Sequence, residues 1–204
     1  MKKLFLSAVA VLFGFGAFAQ ELGYGIKAGV NLPNYNFSNS DFETESATNF
    51  HVTGYLDAPI NQMFSIQPGV SLQGKGAKFM DNEFGTLKQN TMWIEVPVNA
   101  VAKFPTMGGG NFFLGAGPYA AFGISGKNDY EGDWGDVSRD FEFGKDGAQK
   151  GFDYGVNFLG GYRLGNGLTL GAGYGLGLAD IMPDNSSDVK QNNRVLSFSI
   201  GYEL

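Results

Sequence analysis

An all-β fold is what this 204-residue sequence predicts: an eight-stranded antiparallel up-and-down barrel that crosses a membrane, preceded by a cleaved signal peptide. Three observations predict it. After residue 20, eight segments alternate apolar side chains with small or polar ones, the period-2 pattern of strands whose two faces meet different surroundings. The connections between these segments alternate strictly between long (34–48, 76–90, 126–150, 180–193) and short (59–63, 104–111, 164–167). Beyond the N-terminal leader, no segment is long and apolar enough for a membrane helix. A membrane protein of this composition must therefore close its backbone hydrogen bonds in a ring of strands.

The leader comes first in the chain. Lys2 and Lys3 form a positive region, Leu4–Phe13 an apolar stretch, and Ala17-Phe18-Ala19 a small-residue cleavage pattern before Gln20. This is the composition of a secretory signal peptide. A retained helical anchor is the alternative, but the apolar stretch falls short of the roughly 20 residues that span a bilayer. No Cys follows the cleavage site, so a lipoprotein anchor is not expected. The expected organisation is a signal peptide over 1–19 and one barrel domain over 20–204.

The strands are expected at 23–33, 49–58, 64–75, 91–103, 112–125, 151–163, 168–179 and 194–204, each long enough for a tilted crossing of about 9–11 residues. The first sets Tyr24, Ile26, Ala28, Val30 and Leu32 against Gly25, Lys27, Gly29 and Asn31. The fourth sets Met92, Ile94, Val96 and Val98 against Glu95, Pro97 and Asn99. The seventh sets Leu168, Leu170, Tyr174, Leu176 and Leu178 against Thr169 and four glycines. Wound as a helix, that segment would scatter its leucines around the axis and lose about 1 kcal/mol per glycine. As a strand it keeps the leucines on one face. The last sets Leu196, Phe198, Ile200, Tyr202 and Leu204 against Ser197, Ser199, Gly201 and Glu203. Even positions are thus assigned to lipid and odd ones to the lumen, with Val101, Phe113, Leu159 and Val195 as apolar residues pointing inward. Pro68, Pro97 and Pro118 interrupt strands, and bulges are expected there.

Long external and short periplasmic connections, with an even strand count, place both termini in the periplasm of a Gram-negative cell. Tyr24, Phe64, Phe104, Phe112, Tyr162 and Tyr202 fall near the periplasmic ends, as an interfacial aromatic girdle would. The expected surroundings are outer-membrane lipid and lipopolysaccharide, with the barrel-assembly machinery as partner during insertion.

Charge and composition exclude several activities. The net charge is −6, and removing Lys2 and Lys3 makes it more negative. No nucleic-acid partner is expected. The chain has no cysteine, so it carries neither disulfides nor thiol chemistry. The Gly171–Gly177 stretch precedes no helix and is not a phosphate loop.

The inward positions include Lys27, His51, Tyr55, Asp57, Gln67, Gln73, Lys75, Glu95, Asn99, Lys103, Asp153, Asn157 and Arg163. Eight strands enclose a space that side chains just fill. Lys27, His51, Asp57, Glu95, Lys103, Asp153 and Arg163 are therefore expected to form a packed polar network; an open pore is the alternative. His51, the single histidine, is expected to be a hydrogen-bonded lumen residue rather than a catalytic base, and the multiple His or Cys of a metal site are missing. The long loop 126–150 carries Asp129, Glu131 and Asp133 at alternating positions. Their oxygens could face Ca²⁺, but Trp134 stands where the calcium-loop pattern requires Gly. A solvated acidic loop is the expectation. Tyr130, Trp134 and Phe141 there could contact a partner or lipopolysaccharide sugars.

Several short motifs carry a resemblance. Gly25-Ile26-Lys27-Ala28-Gly29-Val30-Asn31-Leu32, Trp93-Ile94-Glu95-Val96-Pro97-Val98, Gly115-Ala116-Gly117-Pro118-Tyr119, Phe152-Asp153-Tyr154-Gly155 and Ser199-Ile200-Gly201-Tyr202 resemble, in this order, segments of the PorT-like outer-membrane β-barrel family of Bacteroidota. The resemblance implies an eight-stranded outer-membrane barrel and, through the founding member, a link to type IX secretion. The motifs do not separate a secretion component from other members. Leu204 departs from the aromatic residue that usually closes such barrels, although Phe198 and Tyr202 keep the alternation. The expected role is non-enzymatic and without cofactor: a structural or surface-binding barrel. A type IX secretion accessory and a lipid-modifying enzyme are the alternatives.

Overall fold

A computed structural model describes residues 22–38, 44–82, 85–131, 136–144, 147, 149–183 and 189–204. The leader, with its cleavage pattern, lies outside them. The described chain forms β1 (Gly23–Ser38), β2 (Asn49–Pro59), β3 (Phe64–Asn82), β4 (Gly85–Pro105), β5 (Asn111–Glu131), β6 (Val137–Phe141), β7 (Phe152–Arg163), β8 (Leu168–Gly177) and β9 (Lys190–Glu203). Every strand pairing is antiparallel. Eight strands follow one another around a ring, β1-β2-β3-β4-β5-β7-β8-β9, and β9 returns to β1. The closing seam runs from Gly25↔Glu203 to Ser38↔Lys190. Closure leaves none of the ring's strands as a free edge, the condition for placing a sheet in hydrocarbon.

Parity decides the two faces. Among the strands' even positions, Val70 is 60% exposed and Leu114 63% exposed, and Ile26, Val98, Phe198 and Ile200 also point outward. At odd positions Asn31, Thr53, Ser71, Glu95 and Asp153 are buried. A continuous apolar belt around a polar interior inverts a water-soluble core. An exposed apolar surface of this extent is tolerated where lipid covers it.

The strand lengths differ from the sequence expectation at the long-connection end: residues 34–38 and 190–193, expected in loops, extend β1 and β9 as a paired ladder out to Ser38↔Lys190. Residues 76–90 and 126–150 were expected as loops. Instead β3 and β4 stay paired out to Asn82↔Gly85, β4 and β5 out to Thr86↔Glu131, and β6 returns along β5 from Gly126↔Phe141 to Tyr130↔Val137. The reason is physical. Beyond Met92 and Ile124 the outward positions carry Asn90, Lys88, Lys127 and Asp129, so the apolar stripe that signals a strand disappears while the ladder continues. Cross-strand polar pairs take its place. Lys88 Nζ lies 3.0 Å from Glu131 Oε2, Gln89 Nε2 donates to Asn128 Oδ1 at 3.0 Å, and Asn90 Nδ2 donates to Asp129 Oδ2 at 3.1 Å.

The prolines do not create the expected bulges. Register holds across Pro68↔Val98 and Pro97↔Tyr119 and across Pro118↔Val156. The strand passes in line, and pairing lapses for two residues beside Pro68 and Pro97. Register shifts occur instead between Met92 and Trp93 and between Lys78 and Met80. Two glycines are required by geometry. Gly76 has φ 137°, a conformation that costs a side chain strain. At Gly29 a Cβ would stand 1.8 Å from the Phe198 carbonyl oxygen, so the seam closes only because no side chain is present.

Candidate functional site

The lumen holds three groups of residues at different heights. Toward the end with the short turns, β2, β4, β7 and β9 converge on an ion cluster. Lys103 Nζ lies 2.5 Å from Asp57 Oδ2 and 3.8 Å from Glu203 Oε1, and Arg163 Nη1 lies 2.5 Å from the same Glu203 oxygen. The Tyr55 hydroxyl donates to Glu203 Oε2 at 3.0 Å, and Gln67 Nε2 donates to Asp57 Oδ1 at 2.8 Å.

Higher in the barrel, Lys75 sits between two carboxylates, 3.1 Å from Glu95 Oε2 and 2.9 Å from Asp153 Oδ2. Its ammonium also lies 4.5 Å from the Tyr119 ring centre and 5.6 Å from that of Trp93. Tyr119 Oη and Asn193 Nδ2 donate to the same Asp153 oxygen, and Asn157 Nδ2 donates to Glu95 Oε1 at 3.0 Å. These contacts offset part of the cost of burying the charges, although Asp153 Oδ1 is buried with no hydrogen-bond partner among the described residues.

Above this triad aromatic and aliphatic side chains crowd the bore, with the buried polar residues Gln89 and Thr91 hydrogen-bonded to Tyr35 and Trp93. Tyr35, Ala77, Trp93, Tyr119, Ala121, Ala179 and Ile181 form one buried cluster, with Phe37, Phe79 and Phe143 packed against it. Trp93 and Ile181 are 0% exposed, and the Phe143 ring stands 5.0 Å from that of Trp93. Trp93 Nε1 donates to Thr91 Oγ1 at 2.9 Å, so the plug buries no free indole N–H. The long-connection end of the lumen is sealed.

Between the triad and the lower cluster lies a cavity, with ≈ 90 Å³ available to the centres of water-sized molecules. Most inward residues of β8 and β9 there, Gly171, Gly173, Gly175, Ser197 and Ser199, are too small to fill the bore beside Thr169 and Val195. The expected packed lumen is therefore packed only at its two ends.

The seven expected network residues divide among these groups. Asp57, Lys103 and Arg163 meet in the lower cluster; Glu95 and Asp153 meet through Lys75. His51 is buried and its Nδ1 lies 2.8 Å from Asn31 Oδ1; Asn31 in turn donates to Gln73 Oε1 at 2.8 Å and the Gly74 carbonyl at 2.9 Å. Lys27 lines the cavity, 6.0 Å from the Tyr55 ring centre, and makes no ion pair among the described residues. Parity places Lys75 and Glu203 inward, but no local signal marks them as the hubs of the two clusters. Their partners lie far away in sequence, 78 positions in the case of Lys75 and Asp153.

The six aromatic residues expected as a girdle all lie at the short-turn end. Phe104 is opposite Phe112, and Phe112 is opposite Tyr162, the latter rings 4.7 Å apart. Tyr24, Phe64, Phe104, Phe112 and Tyr202 are exposed, while Tyr162 is half-buried and its hydroxyl lies 2.9 Å from Thr106 Oγ1.

Among the described residues no group of three or more His, Cys, Asp or Glu is placed to hold a metal. Asp133, Trp134 and Asp146 lie outside them. Asp129 is held by protein donors. The Ser138 hydroxyl, the Asn90 amide and the Lys127 ammonium hold its carboxyl below the usual carboxylate range against a smaller opposing effect of burial.

The outer membrane protein beta-barrel domain family matches residues 18–182. No protein of curated function matches the chain. Among solved structures it is similar to Neisserial surface protein A, with 15% identity over 91% of this chain and 99% of that one and a TM-score of 0.48. It is also similar to OprG from Pseudomonas aeruginosa, with 11% identity over 89% and 95% and a TM-score of 0.48. Ail, the attachment invasion locus protein of Yersinia pestis, shows 12% identity over 90% and 100% and a TM-score of 0.42.

Proposed function

This chain belongs to the outer membrane protein beta-barrel domain family, and from that premise we propose that it is a non-conducting, non-enzymatic outer-membrane barrel that acts through the polar sheet projecting from its long-connection end. The observation that carries this reading is the contrast between a sealed lumen and an extended exterior. Trp93 and Ile181 close the bore, while β3–β6 run on beyond the lipid-facing belt as hydrogen-bonded sheet. A barrel built to pass solutes has its investment inside; this one has a rigid platform outside.

In this reading the projecting sheet faces the medium, the short turns and both chain ends face the periplasm, and residues 1–19 are an export signal removed before Gln20. The exposed aromatic ring Tyr24, Phe64, Phe104, Phe112 and Tyr202 supports the orientation, since such residues settle at membrane–water boundaries. The PorT-like resemblance supports the architecture, because its segment Trp93–Val98 supplies Trp93 to the plug and Glu95 to the triad.

Because the chain has no cysteine, single cysteines test the orientation cleanly. Val137→Cys, on the projecting sheet, should react with a membrane-impermeant maleimide on intact cells. Met107→Cys, fully exposed in a short turn, should react only after permeabilisation. The opposite pattern overturns the orientation. For the activity, deleting the projecting sheet should remove cell-surface binding while leaving an inserted barrel. Loss of cargo export in a deletion strain would instead favour a type IX secretion accessory. A changed lipid profile in His51→Ala would favour a lipid-modifying enzyme.

A further inference from the structure

We propose that the mid-lumen cavity is a binding site for a small organic anion, a single carboxylate with a short apolar tail. Lys27 supplies the charge. The other lumen cations have counter-ions in contact: Lys75 with Glu95 and Asp153, Lys103 with Asp57, and Arg163 with Glu203. Glu95 acts on Lys27 only from beyond ion-pair distance, and both its oxygens are engaged, by Lys75 and by Asn157. Lys27 is thus an amine at the cavity wall with no counter-ion in contact among the described residues, and an anion bound beside it would stabilise its charged form.

The rest of the cavity selects the partner's shape. Val101, Phe113 and Leu159 contribute an apolar wall. Gly171, Gly173 and Gly175, on the strand paired with that of Leu159, keep the neighbouring wall low, and Ser197 and Ser199 add hydroxyl donors. The available ≈ 90 Å³, at about 10–15 Å³ for each water-sized site, holds roughly six to nine non-hydrogen atoms. That suits a carboxylate with a tail of a few carbons and excludes a long acyl chain. The aromatic plug blocks one end. At the other end the Arg163 side chain of the ion cluster is 31% exposed, so the ligand enters past that cluster at the short-turn end.

The test titrates the detergent-purified barrel with butyrate, acetate, chloride and butyramide by calorimetry, with side-chain ammonium NMR as the second readout. Butyrate should bind saturably and perturb the Lys27 signal; acetate should bind more weakly, and neutral butyramide not at all. Lys27→Met, which keeps the aliphatic stem, should weaken butyrate about 10- to 100-fold, the worth of one hydrogen bond to a charged group. Ser199→Leu, which keeps Lys27 but fills the cavity, should abolish binding independently. Gel mobility of the unheated barrel verifies folding of each variant. Absence of saturable binding, equal affinity for butyrate and chloride, or unchanged affinity in a folded variant each overturns the proposal.

Discussion

Lys75 Nζ lies 2.9 Å from Asp153 Oδ2, joining β3 to β7 across the interior of the barrel. Because Glu95 also contacts this ammonium, one cation ties together three strands that are not all neighbours in the ring. The attraction is strong at this depth, yet the desolvation it offsets is of similar size. The triad's weight is therefore clearest when it is broken.

Lys75→Met leaves Glu95 and Asp153 buried without their cation and should destabilise the barrel by roughly 3–5 kcal/mol. The triple change Lys75→Met, Glu95→Gln, Asp153→Asn should recover much of that loss. Urea unfolding in lipid vesicles checks both, and a single mutant as stable as the parent would refute the role given to the triad.

Val98 faces outward on β4. If hydrocarbon covers it, Val98→Arg should cost roughly 2–4 kcal/mol, the cost of a cation near the bilayer midplane. Unchanged folding into bilayers would show that this face is not lipid-covered.

The aromatic plug predicts an electrically silent barrel. In planar bilayers the parent should show no steady current steps, whereas the double change Trp93→Ala and Phe143→Ala should open discrete ones. The Trp93 truncation alone should also cost about 3–5 kcal/mol as a buried large-to-small change. Regular conductance by the parent contradicts the seal.

Acid should loosen the β5–β6 pairing. The Asp129 carboxyl is held below its usual range, chiefly by the Ser138 hydroxyl. A depressed native pKa means that its contribution is present above the unfolded carboxylate value and is lost as pH falls through the lower native value. Amide exchange in Val137–Phe141 should therefore accelerate under strongly acidic conditions in the parent and depend less on acid in Asp129→Asn. Equal pH profiles would remove Asp129 from the account.

The ring itself is legible in the sequence because lipid imposes a strict rule on it. Leu168–Leu178 and Leu196–Leu204 alternate without interruption, and parity alone places Asp153 and Glu95 inside. The rest is hidden for definite reasons. Gly85–Thr91 and Gly126–Glu131 carry mostly polar or small side chains on both faces, so their strands leave no hydrophobic period. Tyr35, Trp93 and Ile181 come from distant segments, and nothing local announces that they converge. The convergence of Lys75 on Asp153 depends on which strands face each other across the bore, which follows from closure and shear rather than from either residue's neighbours. Pro68 and Pro97 misled in the other direction, because losing a donor weakens a ladder without shifting its register.

The unbroken pairing of β4 with β5 past the last lipid-facing residue also sets a height. About seven residues of sheet at ~3.3 Å each give a mast of roughly 20 Å. Its tip is carried at a constant distance from the bilayer instead of drifting on a slack tether. Anything that meets it must approach on the protein's terms, at one altitude and from few directions.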